Sequence, residues 1–553
     1  MIRRRTFLSV TLALVLAGAG VQAVGGRGSI VAPDLREWLT YISSDELQGR
    51  AVFSEGLGLA AGYIQSHLRS WDVAPGGDAG AYLQAVRVHD VKVTSRSSVT
   101  IQVGRESRTF RDGAGVVFPR NAGAPQTLTV DRVEFAGYGL DAPGAKYSDL
   151  AGHDYTHAAV IYLGLNGPRA IDADSSRRIL AQRPRWLTEQ AHADAAIGPP
   201  PSTRRGRDTR GPAGRDAENT ADFTTSQRLD HVVAPAVSGG DAMLQFLFSR
   251  APVKYEELKR KAEAREPLPH FSLPDVRITF TVDADYRVIR TQLTQNVVGI
   301  VEGTDPRLKS TYVALGAHYD HVGYMQEIAT NGRAASTPGR VTPGAESDRI
   351  WNGADDDGSG TVALMALARA FAEGPRPKRS VLLVWHAGEE RGLLGSRYFV
   401  DYPSVPLDQV VAQLNIDMIG RNRDDKSSES NTVYLVGSDR ISSELDAVTR
   451  EANRALSPPL TLDYEMNDPA DPEQVYFRSD HYSYASRGIP IIFFTTGLHP
   501  DYHANTDHVA KIEFQKLTRV TQLVYETAWR LANLPHPPAR DFQGPRSGRG
   551  TRQ

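Results

Sequence analysis

The chain of 553 residues balances 65 acidic side chains against 63 basic ones, so no global charge points to nucleic acid. Its length calls for two or three domains rather than one. It contains no cysteine, which excludes disulfides, thiolate metal ligands and a cysteine-linked lipid. Any metal must therefore rest on His, Asp and Glu.

Taken in chain order, Arg3-Arg4-Arg5, the apolar run Phe7 to Leu16 and the small-residue ending Val21-Gln22-Ala23 read as an export signal over residues 1–23. The order Arg4-Arg5-Thr6-Phe7-Leu8 fits a twin-arginine signal as well as an ordinary Arg-rich one. The run is too short for a bilayer anchor, so the mature chain is expected to be soluble, periplasmic or extracellular, with no membrane anchor. Residues 24–126 are expected to form the N-terminal part of a catalytic domain. Within them Leu59, Tyr63, Ile64 and Leu68 share one face of a helix closed by Pro75-Gly76-Gly77, and residues 81–135 alternate as strands do.

From about Glu134 the texture changes, and a β-rich domain inserted at 127–285 is expected, with a strand from Ala158 to Leu163. Residues 199–219 hold five Arg and four Pro with almost nothing apolar and read as a mobile loop. As an RNA-binding arm they would lack aromatic rings for stacking. From Asn296 strands and helices alternate. Val297–Val301, Val313–Ala317, Val381–Trp385, Val411–Ile416 and Ile489–Phe494 are strands; Thr361–Phe371 and Glu513–Leu534 are helices. The pattern implies an α/β domain over 286–534, a mixed, mostly parallel central sheet sandwiched by helices. The Pro-, Gly- and Arg-rich tail at 535–553 is expected to be disordered.

Polar clusters follow the apolar strands. His318-Tyr319-Asp320 comes after Val313–Ala317, Glu389-Glu390 after Val381–Trp385, and Asp417 after Val411–Ile416. Gly353-Ala-Asp-Asp-Asp-Gly-Ser-Gly360 leads into a helix, and His499, Tyr502 and His503 follow the last strand. Each has a bland reading: an exposed acidic loop, a helix cap, a hydrogen-bonded histidine. Together they place two His, two Asp and one Glu where an open sheet binds ligands, beyond the carboxyl ends of its strands. Imidazole and carboxylate suit zinc, and one carboxylate can bridge two ions roughly 3.5–4 Å apart. Such ions acidify a shared water and polarise a carbonyl, while a carboxylate left unligated moves the proton.

In this order, His318-x-Asp320, Gly-Ala-Asp-Asp356-Asp-Gly-Ser-Gly, Glu389-Glu390-x-Gly-Leu-Leu-Gly-Ser, Asn-x-Asp417-Met and Tyr502-His503 resemble the co-catalytic zinc aminopeptidases. That family also takes in glutamate carboxypeptidases, glutaminyl cyclases and the non-catalytic transferrin receptor. The resemblance covers about 33–126 and 286–534 and implies the fold of the zinc-dependent exopeptidases. It makes the insert look like a protease-associated domain. It implies two Zn2+ ions, with Asp356 bridging, His318 and Asp417 completing one site, and Glu390 and His503 the other. Glu389 would be the general base, Tyr502 would donate to the oxyanion, Asp320 would orient His318, and Arg478 would line the substrate pocket. His321, His386, His481, His499 and His508 would have structural or supporting roles. The implied activity is removal of N-terminal residues from peptides with a free amine. A carboxypeptidase or dipeptidase of the family is the alternative; the former would want an Arg cluster beside the motifs, and none is evident. A glutaminyl cyclase would use one zinc, and a non-catalytic binding protein would have lost ligands that are intact here. The loop 324–350 is long and polar enough to cover part of the site, and side-chain preference, set by loops, is not read.

Overall fold

The computed structural model describes residues 25–142, 146–171, 173–199, 220–325, 337–542 and 552–553. The export signal expected at 1–23 and the loop expected at 199–219, its first residue excepted, lie outside them. Among the described residues no helix is long and apolar enough to cross a membrane.

Four central strands of the main sheet run parallel, in the spatial order Ser380–His386, Tyr312–His318, Val410–Ile416 and Ile491–Thr495. They are short runs of apolar and β-branched residues buried almost throughout, as parallel strands covered on both faces must be. Antiparallel strands flank them. Ala284–Val301 pairs with Ser380–His386 on one side and with Leu83–Ser95 beyond; Thr432–Val436 pairs with Ile491–Thr495 on the other. The sheet is therefore mixed around a parallel centre.

Alternate residues of each central strand feed two different cores. Val313, Leu315, Val381 and Leu383 pack under helices Ala32–Ile42, Glu55–Ser70, Gly360–Glu373 and Phe514–Asn533. Ala314, Leu382, Val384 and Phe493 pack on the opposite face with Phe399, Tyr482 and Tyr484, from helix Leu394–Asp401 and the turn His481–Ala485. The helix Glu55–Ser70 is capped by Ser54, whose hydroxyl accepts from the Leu57 N–H at 3.3 Å. It buries Ile64 and Leu68, but Leu59 is 44% exposed. The face expected from the sequence is rotated, and Leu57, Ala60 and Ala61 take the inner positions instead.

The largest departure concerns the insert. A second sheet is built from Ser98–Val103, Glu106–Asp112, Gly115–Val117 and Gln126–Val130 as well as from later strands. Its core runs from Val99 to Val282. The boundary expected at 127 therefore falls about 30 residues too late, because Val276–Val282 pairs with both Ser98–Val103 and Gln126–Val130. The crossing between the two sheets is clamped at Arg96. Its N–H donates to the Asp283 carbonyl at 2.7 Å, and its guanidinium pairs with Asp283 and Asp285 at 2.9 and 2.8 Å. One short strand of this region, Phe223–Thr225, returns to the edge of the main sheet beside Leu83–Ser95.

The tail expected to be disordered is held where it is described. Asp541 accepts from the Ser443 N–H at 3.3 Å, and Arg552 pairs with Glu429 and Asp463 at 2.9 and 2.7 Å.

These boundaries predict that a fragment spanning 96–283 melts cooperatively. A fragment of 127–285, which strips Val99, Ile101, Val103 and Val116 from the core, should not; calorimetry of the two separates the outcomes.

Candidate metal centre

The expected ligands sit at the ends of parallel strands or in the loops beyond them and at the head of a helix, and these segments converge. His318 is the last residue of its strand and Asp417 follows another directly. Asp356 lies in the turn that opens helix Gly360–Glu373. The Asp356 Oδ1 atom is 3.4 Å from His318 Nε2, which is 3.6 Å from Asp417 Oδ2. The other oxygen, Oδ2, is 3.1 Å from His503 Nε2, which is 2.9 Å from Glu390 Oε2. Asp356 thus divides its two oxygens between two groups of ligands. Asp357 also falls within reach of His318 and Asp417, but its Oδ1 accepts the Gly360 and Met418 N–H groups at 2.9 and 3.1 Å. One oxygen of Asp357 thus holds the loops, and Asp356 is the one placed between the two histidines.

The donors fit a divalent metal. Among the described residues His318 Nε2, Asp356 Oδ2 and Glu390 Oε1 are buried and, close as they lie to one another's residues and to His321 and His503, make no contact of hydrogen-bond geometry, an arrangement that is costly unless something else is bound. Two imidazoles and three carboxylates, with no thiolate, are a donor set suited to zinc. The electrostatics agree. Burial would lower the basicity of His318, but Asp417, Asp320 and Asp356 raise it well above the ordinary histidine value. His503 is likewise pushed up to about 11, against burial, by Asp356 and Glu390. Burial would raise Asp356, yet the two histidines hold it well below the carboxylate range. Glu389 behaves in the opposite way. Burial first, then Glu390, Asp417 and Asp480, raise it well above an ordinary glutamate.

Asp320 orients His318 as expected, but through its main chain. His318 Nδ1 lies 3.1 Å from the Asp320 backbone carbonyl and 3.7 Å from its carboxylate. The carboxylate instead accepts the Glu389 N–H at 3.1 Å. One residue therefore fixes the ring of His318 through its main chain and the position of Glu389 through its side chain. Tyr502 stacks on His503 with ring centroids 4.0 Å apart, and its hydroxyl accepts from Arg478 Nη2 at 3.1 Å. Burial and Asp356 keep that phenol protonated, hence a donor. Arg478, Glu389, Tyr502, Asp356 and Asp417 all line one cleft.

The histidines set aside as supporting divide. His386 contacts the Tyr484 hydroxyl at 3.0 Å, and His481 the Tyr476 carbonyl at 2.8 Å. Burial pushes both down to about 3, so they stay neutral. His499 pairs with Asp355 at 3.2 Å and His508 with Asp348 at 3.3 Å. His321 belongs to the site itself: it is fully buried, with Nδ1 2.9 Å from Glu390 Oε1. Glu390 is thereby gripped from both sides, by His321 and His503. The only signal for this in the sequence is the spacing His318-x-x-His321, which a turn past a strand end folds back into the cluster.

Three further residues were not singled out as site residues. Ser479 donates to Asp417 Oδ2 at 2.7 Å and accepts from Asn415 Nδ2 at 2.9 Å. Asp507 accepts the N–H groups of Asp355 and Asp356 at 2.9 and 3.2 Å. Arg50 is fully buried and donates to the carbonyls of Tyr319, Ile42, Asn352 and Gly353 at 3.0, 2.5, 2.7 and 2.9 Å. It ties the loop after His318 to the loop before Asp356. Gly353 there has φ 57°, and a Cβ would lie 2.3 Å from the Asp356 carbonyl oxygen and 2.5 Å from the His321 ring, so only glycine fits. The described part of the long loop, 337–350, is pinned beside the site by the Arg340 N–H on the His503 carbonyl at 2.7 Å.

Residues 296–528 match the model of peptidase family M28. Leupeptin-inactivating enzyme 1 of Streptomyces exfoliatus is 27% identical over 225 residues, 36% of this chain and 47% of that protein. A probable leucine aminopeptidase of Arthroderma otae is 28% identical over 237 residues, 41% of this chain and 56% of that protein. The chain thus spans about half the length of these relatives. Among solved structures, an aminopeptidase from Aneurinibacillus sp. strain AM-1 aligns with a TM-score of 0.44 at 17% identity, over 96% of this chain and 100% of that one.

Replacing Arg50 by Met leaves four buried carbonyls without their donor and is expected to cost about 3 kcal/mol or more. Denaturant unfolding with an unchanged midpoint would contradict this.

Proposed function

We propose that this chain, whose residues 296–528 match the model of peptidase family M28, is an exported aminopeptidase that works with two zinc ions. The observation that carries the reading is the division of Asp356: one oxygen toward His318 and Asp417, the other toward His503 and Glu390. Those five residues would hold the ions, which would supply Lewis acidity to water and to the scissile carbonyl. Glu389 lines the same cleft, and its raised basicity suits it to take a proton from the attacking water and pass it to the leaving amine. The Tyr502 hydroxyl donates to the oxyanion as it develops. Asp320 holds Glu389 in register through the Glu389 N–H.

The cleft supports an aminopeptidase over a carboxypeptidase. Its charged lining is mostly acidic, and Arg478, the one Lys or Arg among its described residues, is engaged by Glu473 at 2.7 Å and by Tyr502. A free α-amine fits beside Glu389 and Asp417 better than a carboxylate does. Met418, Met466, Val475, Phe493 and Leu498 form much of the rest of the wall, which supports an apolar N-terminal side chain. Export rests on the sequence of residues 1–23, and N-terminal sequencing of secreted protein tests it.

Hydrolysis of aminoacyl-nitroanilides, compared with their N-acetylated forms with and without chelator, tests the activity. The reading predicts chelator-sensitive cleavage of the free amines only; cleavage of substrates with a free carboxylate and a blocked amine would replace it by carboxypeptidase. Glu389→Ala should keep both ions and lose 10²-fold or more, on the order expected for a general base; retained turnover removes it from that role. Asp356→Ala should lose metal outright. His321→Ala should weaken the affinity for one ion by about 10–100-fold, read as metal content after dialysis, and full retention would place His321 outside the site.

A further inference from the structure

The second-sheet body does not stand clear of the cleft. Its turn Trp186–Gln190 follows helix Ala173–Arg185 and enters the core of the main body. Trp186, 6% exposed, joins the apolar cluster of Met466, Val475, Tyr476 and Phe477. Its ring meets Phe477 edge-on at 5.7 Å and stacks over Tyr476 at 6.4 Å. The Arg440 guanidinium covers both Trp186 and Tyr476, at 5.1 and 3.8 Å. The Tyr482 hydroxyl donates to Glu189. In return Ala470, from the main body, is buried in the core of the second sheet.

Apart from Arg440, the main-body residues in these contacts fall on one stretch, 465–482, and that stretch supplies Met466, Val475 and Arg478 to the wall of the cleft. A polar chain runs along the same path. Arg178 of the second-sheet body pairs with Glu473. Glu473 holds Arg478 Nη1 at 2.7 Å, and Arg478 Nη2 donates to the Tyr502 hydroxyl at 3.1 Å. That bond occupies a lone pair of the Tyr502 oxygen and leaves its proton to point elsewhere. Arg478 is thereby committed twice, which fixes the plane of its guanidinium.

We propose that the inserted body is a working part of the active site: through Trp186 it sets the wall of the substrate pocket, and through Arg178, Glu473 and Arg478 it positions the Tyr502 hydroxyl. This rests on the aminopeptidase reading for the role of Tyr502. Glu473 and Arg178 touch no reacting atom and are positioning residues.

The test is a double-mutant cycle of Glu473→Gln and Tyr502→Phe, with Arg178→Ala beside it, on the zinc-loaded full chain. Glu473→Gln preserves shape at a half-exposed position, so folding is not at stake. It is expected to lower kcat about three- to fivefold, the scale of a half-exposed ion pair, with zinc content and KM little changed. Tyr502→Phe should lower kcat about 10²-fold or more, and in that background Glu473→Gln should have no further effect. Independent, multiplying effects would mean that Glu473 acts elsewhere and would overturn the relay, as would an unchanged kcat in Glu473→Gln. A wild type that cleaves no free-amine substrate overturns the aminopeptidase reading instead. The contact is then judged without turnover, by amide hydrogen exchange over 465–478. Exchange there should quicken in Arg178→Ala, and an unchanged rate overturns the proposal whatever the activity.

Discussion

Asp320, Asp355, Asp356, Asp357, Asp417 and Asp507 are all buried in loops at one edge of the sheet, and carboxylates removed from water must find cations or hydrogen donors. Much of the surrounding structure answers that need. Backbone N–H groups of Gly360, Met418 and Gly420 are turned onto Asp357 and Asp355. Asp507 in turn binds the N–H groups at the head of the same loop. Arg50 is the buried cation among them. Although burial lowers it to about 10, Asp320, Asp357 and Asp507 keep it charged. Several carboxylate oxygens remain unmatched, and those of Asp356 and Glu390 lie between the histidines, where two metal ions would sit.

The parallel centre of the sheet was legible because its strands are short continuous apolar runs, and several of the chemical residues stand at or just past the end of one. His318, Asp417 and the Glu389-Glu390 pair could be placed at one edge from that alone. Positions whose role depends on a turn could not. His321 is three residues beyond a strand end, and nothing in its neighbours says that the chain folds back to bring it to Glu390. That Asp320 meets His318 through its carbonyl could not be read, because main-chain partners leave no mark in residue identity. For Arg50 and Ser479 the partners that matter to the site, Tyr319, Asn352 and Gly353 for the one and Asp417 for the other, are more than 60 residues away in sequence.

The insert boundary was missed for a related reason. Residues 81–135 alternate apolar and polar throughout, and a strand leaving one sheet for another keeps the same period of two. The switch at Ser95-Arg96-Ser97 is marked only by the clamp of Arg96 on Asp283 and Asp285, a contact between segments nearly 190 residues apart. In Glu55–Ser70 the inward face carries Leu57, Ala60 and Ala61 with Ile64 and Leu68, while Leu59 faces outward, so hydropathy alone does not set the rotation of this helix.

The central claim, that two ions sit on either side of one carboxylate, is tested most directly by anomalous diffraction at the zinc edge from crystals of the zinc-loaded protein. The account predicts two peaks flanking Asp356, one against His318 and Asp417 and the other against His503 and Glu390. A single peak, or peaks away from Asp356, would contradict it.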